Sequence, residues 1–170
     1  YTMIYANAYD IHATVIRLSN VFGQRASIHS PEFTFNNYFI GLALQGKDIT
    51  VFGEGKQLRN TIYIDDAISA MILAALSNKS NKEVFFAVGD KHLSVAQIAE
   101  ETVKYIGNGK VKYIDWPENR EKVEIGDAVI SNEKIKNVLN WKPIINMKDG
   151  LIKTKEYFST CLTEYLNKRS

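Results

Sequence analysis

Apolar and polar positions alternate along this chain with two periods, and together they predict an ordered series of elements. Tyr1 to Tyr9 reads as the second half of a helix, with no cap or start signal before it. His12 to Leu18 is β-branched and apolar, which predicts a buried strand of a parallel sheet with Ser19, Asn20 and Gly23 at its carboxyl end. Phe35, Phe39, Leu42 and Ala43 carry helical spacing over Phe35 to Gly46, where the glycine can take the left-handed cap conformation. A short strand follows at Asp48 to Phe52, then a turn at Gly53-Glu-Gly55. Ile62, Tyr63 and Ile64 suit a buried strand that runs into a helix ending near Leu76, with Asp65 and Asp66 as its N-cap and first turn.

The second half continues the pattern. Asn78 to Lys82 is a polar loop, Val84 to Val88 a compact strand, and Ser94-Val-Ala-Gln97 matches a capping box that opens a helix to about Ile106. Val111 to Ile114 predicts a strand ended by Trp116-Pro117, and Glu118 to Asp127 a charged loop. A short helix near Asn132 to Leu139 and a long one near Lys148 to Leu166 complete the series, leaving Arg169 at a polar, exposed end. Strands alternating with helices argue for an α/β fold, and no repeat, low-complexity run or linker divides the chain.

Composition narrows the function classes. With 45% hydrophobic residues in 170, the chain can build a core. A net charge of +2, with acids and bases interleaved, lacks the concentrated basic stripe of nucleic-acid binding, so no nucleic acid is expected. Cys161 is the single cysteine, which forbids an intrachain disulfide and points to a reducing, cytoplasmic compartment. No apolar run reaches the length needed to cross a bilayer, so no membrane is expected.

Candidate chemistry is sparse. His12, His29 and His92 are scattered without ligand spacing, and no metal site is expected. Gly53-Glu-Gly55 lacks the third glycine and following helix of a phosphate loop. Arg59 has two readings: a surface arginine paired with an acidic neighbour, or an anion clamp at a strand entrance, where its planar guanidinium grips a phosphate bidentately. Ser19 and Asn20 earn attention by position, because ligands of open α/β sheets collect at the carboxyl ends of strands.

Five segments, taken in order, carry a resemblance: Arg17-Leu-Ser-Asn-Val-Phe-Gly23, Gly46-Lys-Asp-Ile-Thr-Val-Phe-Gly53, Gln57-Leu-Arg-Asn-Thr-Ile-Tyr-Ile-Asp-Asp66, Ile125-Gly-Asp127 and Asn140-Trp-Lys-Pro143. The chain resembles the C-terminal portion of the NAD-dependent epimerase/dehydratase family, the extended short-chain dehydrogenase/reductases that act on nucleotide sugars. The resemblance implies a substrate-binding domain over residues 24–170, with residues 1–23 a remnant of the Rossmann sheet. It implies the chemistry of an isomerase or lyase: NAD oxidises the sugar at C4, after which hydride returns from the other face or water is lost across C5 and C6.

Site roles follow by position. Asn20 resembles the asparagine that contacts the substrate diphosphate, and Ser19 lies beside the meeting point of nicotinamide and sugar. Phe35 and Asn36 fall among the substrate-binding positions, and Phe52 in the strand that lines the nucleobase pocket. Arg59 resembles the diphosphate arginine, Arg120 a second phosphate arginine with Arg25 its competitor, and Asp127 a residue reaching the ribose. The departures are Asn60 where an aspartate usually stands, Asn36 and Asn37 in place of an isoleucine-proline pair, and Ser131 in place of the aspartate before the short helix. Asn36 and Asn37 open the alternative of added hydrogen bonds to the sugar.

The family's Gly-x-x-Gly-x-x-Gly turn and Tyr-x-x-x-Lys catalytic pair occur nowhere in the 170 residues. The expectation is therefore a fragment that depends on an N-terminal Rossmann domain for NAD and the catalytic residues. It would belong to a homodimeric parent and be inactive alone. A non-catalytic nucleotide-sugar-binding or structural module is the alternative. Epimerase and dehydratase stay undivided.

Overall fold

A computed structural model describes residues 1–32 and 34–167; Arg169 lies outside the described residues. Helix α1 (Thr2–Ala8) leads into strands β1 (Thr14–Leu18) and β2 (Asn20–Phe22). There follow α2 (Phe35–Leu44), β3 (Ile49–Phe52), β4 (Leu58–Tyr63) and α3 (Ile64–Leu76). After a 3-10 turn at Asn78–Ser80 come β5 (Glu83–Ala87), β6 (His92–Ser94), α4 (Val95–Ile106) and β7 (Val111–Ile114). The chain ends with α5 (Glu118–Glu121), α6 (Glu133–Leu139) and α7 (Met147–Asn167). The α/β expectation holds.

Among the described residues three small sheets share this framework. β1 pairs with β5 and β3 with β7, both parallel; β4 pairs in parallel with β2 and antiparallel with β6. One core cluster gathers Phe22, Phe39, Ile40, Tyr63, Ile98 and Leu151 from α2, α4, α7 and the strands between them. A second joins Ile62, Ala67, Ala70, Phe85, Ile135 and Trp141. Gly41 lets α2 settle onto the 24–32 segment, since a Cβ there would stand 2.3 Å from the Ile28 carbonyl oxygen.

The structure corrects several sequence expectations. β1 is half-exposed rather than buried, because among the described residues it has a neighbour strand on one side only. Asn20 lies at the carboxyl end of β1 as expected, but there it opens a further strand, β2, which belongs to a different sheet. Ile64 is helical, and Tyr63, not Asp65, occupies the N-cap of α3, without a side-chain cap bond. β6 and α5 fall in segments where sequence predicts no element, both too short for periodicity to register.

The capping box is present as expected. Ser94 Oγ accepts from the Gln97 backbone N–H at 3.1 Å, and Gln97 Oε1 accepts from the Ser94 N–H at 2.9 Å. Ser94→Ala is expected to lower the stability of the chain by about 1 kcal/mol, measurable by urea denaturation, while Ser94→Asp should retain most of it.

Candidate functional site

The strand ends of β3 and β4, the outer face of α2 and the segment following β7 enclose a cavity of about 690 Å³. Its apolar wall comes from helical spacing in α2, which turns Phe35, Tyr38, Phe39 and Leu42 to one side. Val51 and Phe52 at the end of β3 continue this wall. Trp116 packs on Phe52 with ring centroids 5.4 Å apart, and the Arg120 guanidinium lies 6.0 Å from the centre of the same ring. Gly53 makes the first packing possible. A Cβ there would lie 2.6 Å from Trp116 Nε1, and its φ of +57° also suits glycine.

Arg59, second residue of β4, enters the cavity from the strand entrance as expected. Of the two readings of this arginine, the structure shows the pairing with an acidic neighbour, in a sheltered position rather than at the surface. Nη2 pairs with Glu124 Oε1 at 2.5 Å, and Nη1 donates to the Leu58 carbonyl at 2.9 Å and to the Gly126 carbonyl at 2.5 Å. The pair is sheltered, its side chains 14% and 24% exposed. Asp48 also lines the cavity; its Oδ2 is bound by Lys112 Nζ at 2.6 Å, and its Oδ1 accepts from the Lys110 N–H at 3.0 Å. The Lys112 bond, opposed by partial desolvation, holds this carboxyl below its ordinary range.

Thus Phe35, Phe52, Arg59 and Arg120 come together, whereas Arg25 is exposed and does not line the cavity. Ser19, Asn20 and Asn36 form a separate polar seam. Asn20 Nδ2 donates to the Asn60 carbonyl at 3.0 Å, and Asn36 Nδ2 donates to the Asn20 carbonyl at 3.3 Å. Ser19 Oγ and Asn36 Oδ1 are buried without a hydrogen-bond partner among the described residues. Asn37 is engaged structurally, donating to the Val21 carbonyl at 3.0 Å and accepting from the Gly23 N–H at 3.3 Å, so it ties α2 to β2. Asp127 Oδ1 accepts from the Leu58 N–H at 2.7 Å, fastening the segment that carries Glu124 to the edge of β4.

Asn60 has a clear local use. Its amide nitrogen donates to the Gly89 carbonyl at 2.7 Å, and its oxygen accepts from the Gly89 N–H at 2.8 Å. A carboxylate could not make the first of these bonds. Ser131 Oγ accepts from the Glu133 N–H at 3.2 Å just before α6, but the N-cap position of that helix is held by Asn132. Among the cavity residues that escape sequence reasoning, Trp116 reads only as a strand terminator, and Glu124 as one acid within a charged loop. The single available hint is that Glu124 stands two residues before Gly126-Asp127.

No group of three or more His, Cys, Asp or Glu suited to a metal occurs among the described residues. Among the described residues no helix is long and apolar enough to cross a membrane.

The sequence pattern of the NAD dependent epimerase/dehydratase family matches residues 1–89. Over 172 aligned residues the chain is 30% identical to UDP-glucuronic acid decarboxylase 1 of Xenopus tropicalis, covering 98% of this chain and 38% of that protein. It is also 30% identical to a UDP-N-acetyl-alpha-D-glucosaminuronate decarboxylase of Bacillus cytotoxicus, over 85% of this chain and 46% of the relative. The chain therefore spans less than half the length of these two relatives. Among solved structures, UDP-glucose 4-epimerase of Thermotoga maritima with UDP-glucose superposes with a TM-score of 0.78 at 26% identity, covering 94% of this chain and 50% of that one.

Proposed function

The chain belongs to the NAD-dependent epimerase/dehydratase family, and from that premise we propose that it is the nucleotide-sugar-binding portion of an NAD-dependent enzyme, with the 690 Å³ cavity taking a nucleoside diphosphate sugar. The observation that carries this reading is the composition of the cavity. Aromatic and aliphatic walls from Phe35, Phe39, Val51, Phe52 and Trp116 suit a base, and Arg59 and Arg120 at one side suit the two phosphates. The volume lies within the range of small-ligand sites. Asp127 and the Ser19–Asn20–Asn36 seam, beside the cavity, are assigned to the ribose and the sugar end.

The reaction class widens beyond the two that sequence kept open. Relatives are epimerases and decarboxylases by name, so decarboxylation joins epimerisation and dehydration as candidate outcomes for the whole protein. NAD is the proposed cofactor, held by residues other than these. Gly23 and Gly55 do not fit a pyrophosphate cradle: a Cβ on Gly23 would meet Ile64 Cγ2 at 2.6 Å, and one on Gly55 would meet Val51 Cγ1 at 2.5 Å. Their open side is filled by packing, and no Gly-x-x-Gly-x-x-Gly turn or Tyr-x-x-x-Lys pair occurs in the chain. Turnover by these residues alone is accordingly not proposed. The exposed apolar faces of α1 (Ile4, Tyr5) and α3 (Ile68, Ile72) are assigned to the dinucleotide domain and to the partner of a homodimer.

Calorimetric titration with UDP, UMP and uridine tests the cavity reading. UDP is expected to bind at least about tenfold more tightly than uridine, because each charge-assisted phosphate contact is worth more than a neutral one. Equal affinities, or no binding by any of the three, would remove the arginines from a phosphate site. One observation favours the alternative of a structural module: Arg59 already has an internal carboxylate partner. The same titration separates the two readings.

A further inference from the structure

We infer that Glu124 is an internal anion that holds the place of a ligand phosphate on Arg59, and that it sets which anions the cavity accepts by having to be displaced. The inference rests on the reading of the cavity as a diphosphate site.

Among the described residues four charged side chains line the cavity: Arg59, Arg120, Asp48 and Glu124. Asp48 is committed to Lys112 and to the Lys110 N–H, away from the arginines' bonds. Glu124 is the carboxylate bonded to Arg59, and it uses on Oε1 the same donor that a phosphate oxygen would use. That oxygen also accepts from the Gly126 N–H at 3.1 Å, so the carboxylate sits between a guanidinium and a backbone donor, an arrangement suited to a phosphate oxygen. While Glu124 stays, the charge next to Arg59 is cancelled. A weakly charged ligand then gains little, and a diphosphate gains only by expelling the carboxylate to water.

The attachment of the segment makes expulsion feasible. Val123 and Ile125, flanking Glu124, are 73% and 76% exposed, so apolar burial does not hold this stretch down. It is held by bonds to the edge of β4: the Asp127 carboxylate and Ala128 N–H to Leu58, and the Gly126 carbonyl and Glu124 carboxylate to Arg59. A phosphate on Arg59 competes with the last two and leaves the Leu58 bonds as a hinge. Val123 and Glu124 would then swing from the cavity mouth.

The test combines UDP calorimetry of the whole chain, its Glu124→Gln and Arg59→Gln variants and the double variant with amide hydrogen exchange across 118–127. Glu124→Gln keeps an acceptor for Gly126 but loses the charge. It is expected to tighten UDP binding roughly fivefold, and by clearly less when Arg59 is also Gln, where only the carboxylate's repulsion of the phosphates is relieved. Without ligand, exchange over 118–127 should rise several-fold in Glu124→Gln; in the wild type it should rise on adding UDP. UDP binding that is unchanged in Glu124→Gln overturns the displacement alone. Weaker binding does so too, and would make the carboxylate an acceptor for ligand hydroxyls. Absence of UDP binding in every form removes the cavity reading, and displacement with it.

Discussion

Arg59→Ala is expected to weaken UDP binding by roughly ten- to a hundredfold in protein that remains folded, the largest effect on ligand binding of any single change considered. Two losses add. The first is the charge-assisted contact between guanidinium and diphosphate, about 1.5 to 3 kcal/mol in a sheltered site. The second comes from Glu124, whose side chain is 24% exposed and which loses its cation, leaving an uncompensated carboxylate beside the incoming phosphates. The double variant Arg59→Ala/Glu124→Gln should therefore recover part of the affinity. Arg59→Lys should recover part as well, since an ammonium restores charge but cannot serve Leu58, Gly126 and an anion at once through a planar fork. Calorimetry with UDP, alongside circular dichroism to confirm folding, decides this. Unchanged affinity in Arg59→Ala would place the phosphate site elsewhere.

Asp66→Ala is expected to be the most damaging polar substitution for stability, by about 2 to 4 kcal/mol. Asp66 is 2% exposed, and its two oxygens accept from the Ile144 N–H at 3.1 Å and the Ile145 N–H at 2.9 Å. It also lies in the first turn of α3, where a negative charge meets the positive end of the helix. Nearby, Trp141 Nε1 donates to Ser69 Oγ at 2.9 Å, so the 141–145 segment docks on α3 through two separate polar ties. Removing Asp66 leaves two amides without their partner and frees the stretch that leads into α7. For a chain of this size the expected drop in melting temperature is roughly 5 to 15 °C by differential scanning calorimetry. Asp66→Asn should fall between, since one amide oxygen survives. A shift below a degree for Asp66→Ala would mean that water replaces the carboxylate at no cost.

Asp66 also marks the boundary between local and tertiary information. In sequence, Asp65-Asp66 before an apolar run reads as a helix start, and the helix is there. The side chain's actual partners lie nearly eighty residues away, and no local periodicity encodes them. What the sequence determined about this protein is what near-neighbour physics controls: the helical spacing of α2 and α4, the Ser94–Gln97 box, the β-branched runs of β1, β5 and β7, and the α/β order they compose. It also put Arg59 at a strand entrance, because a strand's position is a local property, whereas the shared site of Phe35 and Phe52 was implied only by the family resemblance. The tertiary structure alone decided that β2 leaves the sheet of β1 for that of β4, that Trp116 covers Phe52, and that Glu124 answers Arg59 from sixty-five residues away. Those outcomes depend on which surfaces fold against each other. A charged loop reads the same in sequence whether its carboxylates face water or a guanidinium, and only the folded chain brings the two charges within bonding distance.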